Sequence, residues 1–266
     1  MEKLQVLLAT MDQTDMSIAE KMNLRCGAVI ANQADFERID VCGDVKMIST
    51  RTKGVGLNRN IALMAADGDV LLLSDDDVVY NDTMPQAVVE AFRTNPQADI
   101  LIFGMDMVKN GQIVEKRHLK AGRLRFWNAM RFGTYRIAVR RKALLQHNIT
   151  FHQLFGGGCP FSAGEDSLFL KDCFNHGLRV YAHDYVLGRC CKDQSSWFVG
   201  YNEKYFYDKG VLVRKLFPRM HWLMGMYFAV CFKRQTELGV GKRLRLMYAG
   251  IRGGKTMRCY ETYHHR

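Results

Sequence analysis

The chain has 266 residues, 48% of them apolar and only four of them proline, which excludes a disordered polymer and allows a large buried core. Its formal charge is +11, yet residues 1–208 hold 25 Lys/Arg against 25 Asp/Glu while residues 209–266 hold 13 against 2, so the excess lies in the last segment. Eight cysteines without a C-x-x-C pair, and an N-terminus (MEKLQVLLATMDQTD) with no basic leader region, point to reduced thiols in a cytosolic protein. The longest apolar run, residues 220–232, is shorter than the about 20 residues of a membrane span, so no spanning helix is predicted.

Strand-like and helix-like segments alternate through the N-terminal part, the pattern of a parallel sheet with helices packed on it. Residues 4–9 predict a first strand, residues 26–31 (CGAVIA) a second after a polar helix ending near Asn23, and residues 45–49 a short third. Leu57, Ile61, Met64 and Ala65 recur at helical spacing, predicting a buried stripe that Asp67 and Gly68 terminate. Residues 70–73 (VLLL) are apolar at every position, as expected of a central strand covered on both faces. A helix over 85–93, a strand over 99–103 and a hairpin with a type I′ turn at Asn110-Gly111 follow. Residues 109–142 are a second basic region, with 11 Lys/Arg against Glu115 alone. A strand over 135–139 and a short helix ending at Asn148 precede Phe155-Gly156-Gly157-Gly158, read as a mobile loop. GEDSLFLKDCFNHG then predicts a helix over 165–176 with Gly177 at its C′ position. Beyond it, Trp197, Tyr201, Tyr205, Phe206 and Tyr207 form an aromatic cluster suited to packing or to a sugar platform. In the tail, Val240, Leu244, Met247, Tyr248 and Ile251 share one helical face, with Lys242, Arg243, Arg245 and Arg252 over the rest: an amphipathic basic helix.

Asp75, Asp76 and Asp77 leave the carboxyl edge of the predicted central strand, the edge at which open parallel sheets bind ligands. Three adjacent carboxylates repel one another unless they are solvated, protonated or neutralised. A wet turn satisfies that requirement, and so does a hard divalent cation completed by substrate phosphates. KGVGLNRN, residues 53–60, has Arg59 where a dinucleotide fingerprint has its third glycine and follows a third strand, which argues against a nicotinamide site. Arg59 and Asn60 fall in the first turns of a helix, placed to meet a phosphate or a base, or to form a capped surface helix. Glu165 and Asp166 open a helix, where carboxylates complement the dipole; next to a glycine loop, one of them is also placed to act as a general base. No H-E-x-x-H or G-x-S-x-G motif occurs.

Taken in order, VLLAT (6–10), Asn32-Gln33, KGVGLNRNIAL (53–63), SDDDV (74–78) and GED (164–166) resemble family 2 glycosyltransferases of the GT-A fold, over about residues 4–185. The resemblance implies an α/β fold, a Rossmann-like and mostly parallel central sheet with helices on both faces, over residues 1–208. Residues 209–266 would form a C-terminal helical, basic extension. It implies inverting, divalent-metal-dependent transfer of one sugar from a nucleotide diphosphate sugar, a UDP-sugar foremost, to a hydroxyl of a glycan or lipid-linked acceptor in surface polysaccharide synthesis. Asp75 and Asp77 match the outer positions of the D-x-D motif that holds Mn2+ or Mg2+. Ala9, Thr10, Asn32, Gln33, Lys53, Gly54, Arg59, Asn60, Asp75 and Asp76 match positions around the donor nucleotide. Asp166 matches the catalytic base with Glu165 beside it, and Gly164, Glu165 and Trp197 fall at the acceptor.

Asn32 and Gln33 stand where the family commonly has an aspartate, and the Q-x-x-R-W motif of processive synthases is absent near Trp197, implying one sugar per encounter. Residues 209–266 are expected on an anionic membrane surface, making the protein cytoplasmic and peripheral on the inner face of the cell membrane, with no nucleic-acid partner. A Mg2+-dependent nucleotidyl or phosphoryl transferase, and a non-catalytic basic module binding membrane or nucleic acid, are the alternatives.

Overall fold

The computed structural model describes residues 2–191, 200–232 and 235–264. The first half runs β1 (Leu4–Met11), α1 (Ile18–Lys21), β2 (Gly27–Gln33), β3 (Arg38–Cys42), β4 (Val45–Thr50), α2 (Val55–Ala65), β5 (Val70–Asp75), β6 (Val78–Tyr80) and α3 (Met84–Thr94). It continues through β7 (Ile100–Lys109), β8 (Gln112–Arg117), β9 (Gly122–Arg123), α4 (Phe126–Ala129), a 3-10 turn at Thr134–Arg136, β10 (Ile137–Arg140), α5 (Arg141–Gln146), α6 (Glu165–Asn175) and β11 (Val180–Cys191). Four helices follow: α7 (Glu203–Leu216), α8 (His221–Cys231), α9 (Val240–Gly253) and α10 (Tyr260–His264).

The sheet order is β3-β4-β2-β1-β5-β10-β7-β11-β6, with β8 on β7 and β9 on β11. Its β4-β2-β1-β5 half is parallel, as expected. The other half is mixed, because β10 lies antiparallel between β5 and β7. β5 is central, and Val70, Leu71, Leu72 and Leu73 pack alternately into the two cores on opposite faces of the sheet. That arrangement explains why the strand needs an apolar residue at every position. Asn110 and Gly111 both have positive φ, 51° and 75°, the turn the hairpin requires. Four strands lie outside the predicted set: β3, β6, the two-residue β9 and the long β11, which pairs with β7, β6 and β9. β3 is an exposed edge strand whose Arg38 and Asp40 discourage pairing with another chain. β6 is only three residues long, and its Val78–Tyr80 pairs with β11.

Three expectations need correction. The buried side of α2 is Gly56, Asn58, Arg59, Asn60, Ala62 and Leu63, while Met64 of the predicted stripe is exposed. Polar residues turn inward there because the carboxyl edge of the sheet supplies their partners. The loop at residues 155–158 is anchored: Val55 N–H donates to the Gly157 carbonyl (2.9 Å), and buried Phe155 and Phe161 stack at 4.8 Å. In α9, Arg243 lies on the buried side with Leu246, Met247, Gly250 and Ile251, whereas Val240 is exposed.

The helices after residue 200 share a third core, in which Phe155, Phe161 and Leu168 meet Phe206, Tyr207, Val211, Leu212, Leu246, Met247 and Ile251. Position 208/209, where the sequence divides by charge, falls inside α7. No helix among the described residues is long and apolar enough to cross a membrane.

Candidate active site

β1 and β5 pair in register so that Ala9 lies opposite Asp75, and β1 and β2 pair so that Thr10 lies opposite Asn32. The carboxyl edge of the sheet therefore gathers four of the predicted residues by strand pairing alone. The three aspartates then diverge. Asp75 Oδ1 accepts from Arg59 Nη2 at 2.7 Å, and Asp76 Oδ2 accepts from Thr10 Oγ1 at 2.6 Å. Asp77 Oδ2 takes a hydrogen bond from Cys190 Sγ at 3.2 Å, while its Oδ1 is buried without a partner. Burial first, and then the Asp75 charge, pushes the Asp77 carboxyl up to about 6.

Arg59 is the cation paired with Asp75 of the acidic run, and it reaches beyond that run. Its Nη1 also donates to Glu165 Oε1 at 3.0 Å and Asp166 Oδ1 at 3.1 Å. Burial opposes the charge of Arg59, but Asp75, Asp166 and Glu165 together outweigh that and hold its pKa above the ordinary arginine value. The guanidinium also lies 5.4 Å from the Phe151 ring centre. Two carboxylate groups some 90 residues apart in sequence thus meet across one side chain.

Asp166 stands in the first turn of α6. Thr134, fully buried in the 3-10 turn, donates to it twice: its N–H to Oδ2 and its hydroxyl to Oδ1, both at 3.3 Å. Burial, with Glu165 next, raises the Asp166 carboxyl well above the ordinary range, and Arg59 pulls it back in part. The turn into α6 depends on Gly164, which has φ 118° and lies so close to Leu212 of α7 that a Cβ would overlap the leucine methyls. Thr134 carried no signal in the sequence, since a threonine before a strand is commonplace.

The remaining predicted residues divide into two sets. Gln33 Oε1 accepts the Gly54 N–H at 2.7 Å, so β2 fixes the glycine turn at the start of α2. Gly54 itself has φ 110°, and Lys53 is exposed beside it. Asn32 is fully buried, accepting from Gln13 N–H and donating to the Gln13 carbonyl and Ser49 hydroxyl. Asn60 is committed to the Phe151 backbone, donating to its carbonyl and accepting its N–H. Both amides therefore hold loops. Asn58, which sequence reasoning missed, donates to the carbonyls of Thr10 and Ala31 and pins α2 to β1 and β2. Trp197 lies outside the described residues.

Among the described residues, no cluster of three or more His, Cys, Asp or Glu side chains forms a ready-made metal cage. The orphaned, buried Asp77 Oδ1 beside Asp75 fits a cation held by one or two carboxylates and completed by a substrate.

The mixed sheet flanked by helices, with an acidic run at its carboxyl edge and a separate carboxylate at a helix start, forms a GT-A-like fold. The model of "Glycosyl transferase family 2" matches residues 34–155, including Arg59 and Asp75 to Asp77 and ending before Glu165. The match spans slightly less than half of the chain, and over that stretch the chain is similar to family 2 glycosyltransferases. Similar solved structures include S. aureus TarS 1-349, with TM-score 0.58 and 17% identity over 94% of this chain and 70% of that one. Its complexes with UDP-GlcNAc (TM-score 0.59, 16% identity, 94% of this chain and 71% of that one) and UDP (0.57, 17%, 96% and 72%) also match. Comparison with curated protein sequences gives no significant match.

Proposed function

We propose that the protein transfers a single sugar, with inversion, from a nucleotide diphosphate sugar to a hydroxyl of a glycan or lipid-linked acceptor. The observation that carries this reading is the Arg59 junction, which gathers Asp75, Glu165 and Asp166 around one guanidinium. A donor site and an acceptor base must lie that close for one displacement to connect them. The similar TarS structures hold UDP and UDP-GlcNAc, which supports a UDP-sugar as donor.

Asp77 and Asp75 would hold Mn2+ or Mg2+, which when bound neutralises charge growing on the diphosphate as the sugar leaves. Thr10 engages Asp76 Oδ2, and the buried Asp77 Oδ1 is the open ligand atom. Ala9, Gln33, Lys53 and Gly54 are assigned to the donor nucleotide. Asp166, oriented by Thr134, takes the proton of the acceptor hydroxyl at Oδ1 or Oδ2 when it is ionised. Arg59 keeps the carboxylates together until substrate arrives. Gly164, Glu165 and Trp197 are assigned to the acceptor side. Residues 209–266 hold the enzyme on the inner, anionic face of a membrane, where lipid-linked acceptors reside.

The test is a screen of nucleotide sugars for Mn2+-dependent binding and transfer by wild type, Asp77→Asn and Asp166→Asn. Asp77→Asn should lose metal-dependent donor binding. Asp166→Asn should bind donor normally while transfer falls by about 10²–10⁴-fold. Transfer by Asp166→Asn at the wild-type rate would remove Asp166 from the base role.

A further inference from the structure

α8 is built inside out. Its two buried residues are Gly225 and Ala229, whereas Trp222, Leu223, Met226, Tyr227 and Val230 are 45–56% exposed. Positions 222, 226 and 230, and 223 and 227, follow one another at helical spacing and form one continuous outward stripe. Small residues inward let α8 lie close against α9: a Cβ on Gly225 would overlap the Ile251 side chain. A soluble helix normally presents the opposite arrangement.

The stripe has a cationic border. Arg219 precedes it and is exposed. On α9, Arg245, Tyr248 and Arg252 share a face; Tyr248 packs on Trp222 at 5.2 Å, and the Arg252 guanidinium lies 5.9 Å from the Trp222 ring centre. α8 has no acidic residue, and residues 209–266 contain only Glu237 and Glu261. The apolar side of α9, which the sequence pattern offered to the membrane, is already occupied: Met247 and Ile251 are fully buried in the third core.

We propose that the outward face of α8 is the element that enters an anionic lipid surface. Trp222, Leu223, Met226, Tyr227 and Val230 sit at the acyl boundary, and Arg219, Arg245 and Arg252 meet lipid phosphates. This deepens the membrane part of the proposed function by naming the face that carries it. A helix lying in the interface plane needs this combination, an apolar stripe with aromatic residues and flanking cations. A second copy of the chain fits less well, because face-to-face pairing of α8 brings two sets of arginines together with no acidic partners in the stripe.

The test uses the full chain and vesicles of phosphatidylcholine with or without phosphatidylglycerol. Wild type should float with the anionic vesicles only, and brominated lipid should quench its fluorescence more than that of Trp222→Phe. The double variant Leu223→Glu, Met226→Glu changes exposed positions and should keep its fold by circular dichroism while losing at least about tenfold in vesicle affinity. Arg245→Gln with Arg252→Gln should weaken binding and flatten its salt dependence. Undiminished flotation of the double glutamate variant overturns the proposal. Failure of wild type to bind, with a concentration-dependent dimer that the same variant abolishes, overturns it in favour of self-association. Nucleotide-sugar binding by wild type and variant in solution is measured alongside. If no donor binds but flotation depends on α8, the surface assignment stands and the enzymatic reading fails. Donor binding without α8-dependent flotation sustains the enzymatic reading and overturns the surface assignment.

Discussion

Replacing Arg59 by methionine keeps the length of the side chain and deletes its charge. Arg59 is 6% exposed and touches Asp75, Glu165 and Asp166 at 2.7, 3.0 and 3.1 Å, so the variant leaves three carboxylates converging on an apolar group. At an effective dielectric constant near 20, each such contact is worth about 4 kcal/mol before desolvation is subtracted. The arginine recovers its own desolvation on removal, and Asp75 and Asp166 keep about 30% of their surface for solvent. A net loss of about 2–4 kcal/mol follows, at the lower end of what removing one partner of a buried pair produces. In urea unfolding at neutral pH this appears as a lower midpoint with an unchanged slope, and in thermal unfolding as a Tm lower by about 5–12 °C. The deficit should shrink as pH falls, since protonating the carboxylates removes their repulsion, and Asp166, already raised, is the first to accept a proton. Saturating Mn2+ should restore part of the stability by returning positive charge to Asp75. A variant within about 0.5 kcal/mol of wild type at neutral pH would show that solvent, not Arg59, neutralises the cluster.

Gly164→Ala meets both a left-handed backbone and the Leu212 methyls, so it should lower stability by about 1–3 kcal/mol and reduce transfer more than donor binding, measured by unfolding and by paired binding and turnover assays. Lys209 loses its proton at about 8 because burial disfavours its charge, and its ammonium lies 4.8 Å from the Phe228 ring centre. A lysine that holds its proton less firmly when folded weakens the fold below pH 8, and the penalty fades as pH rises toward the unfolded value of 10.5. Lys209→Met should therefore stabilise by about 1–2 kcal/mol at pH 7, with the gain vanishing near pH 10.5; a constant gain across that window would refute the argument. Ending the chain at residue 208 should give an aggregating product with no cooperative unfolding transition, because buried Phe155, Phe161, Phe206 and Tyr207 lose the partners contributed by α7, α8 and α9.

Much of the sheet could be read from sequence because its strands obey one rule each. β5 is buried on both faces and apolar throughout, and α6 begins after Gly164 and ends before Gly177, where the backbone turns left-handed at 118° and 79°. α2 misled the periodic reading because two demands fall on it. Leu57, Ile61 and Met64 follow a helical stripe, yet Asn58, Arg59 and Asn60 take the inward side because their hydrogen-bond partners lie there. A hydrophobic pattern locates a core only where the core is apolar, and at this edge the interior is a polar junction. Thr134 and Cys190 were invisible for another reason: each acts through one contact, to Asp166 and to Asp77, that only the folded chain creates.

The charge step at residue 208 suggested a catalytic body with a detachable tail, but the packing gives the last helices a second task. Asp208 of α7 accepts from both the N–H and the hydroxyl of Ser162, two residues before Gly164, and Leu212 seats against Gly164 itself. Lys171 of α6 reaches across to the Lys215 carbonyl at the end of α7. The segment that delivers Glu165 and Asp166 to the cleft is thus braced by α7, and α7 is braced by α8 and α9. Removing the tail would therefore impair the proposed base even in an assay without lipid, so a truncation cannot separate membrane contact from catalysis. Substitutions confined to the exposed stripe of α8 can, because those side chains leave the Gly164 turn and its supports untouched.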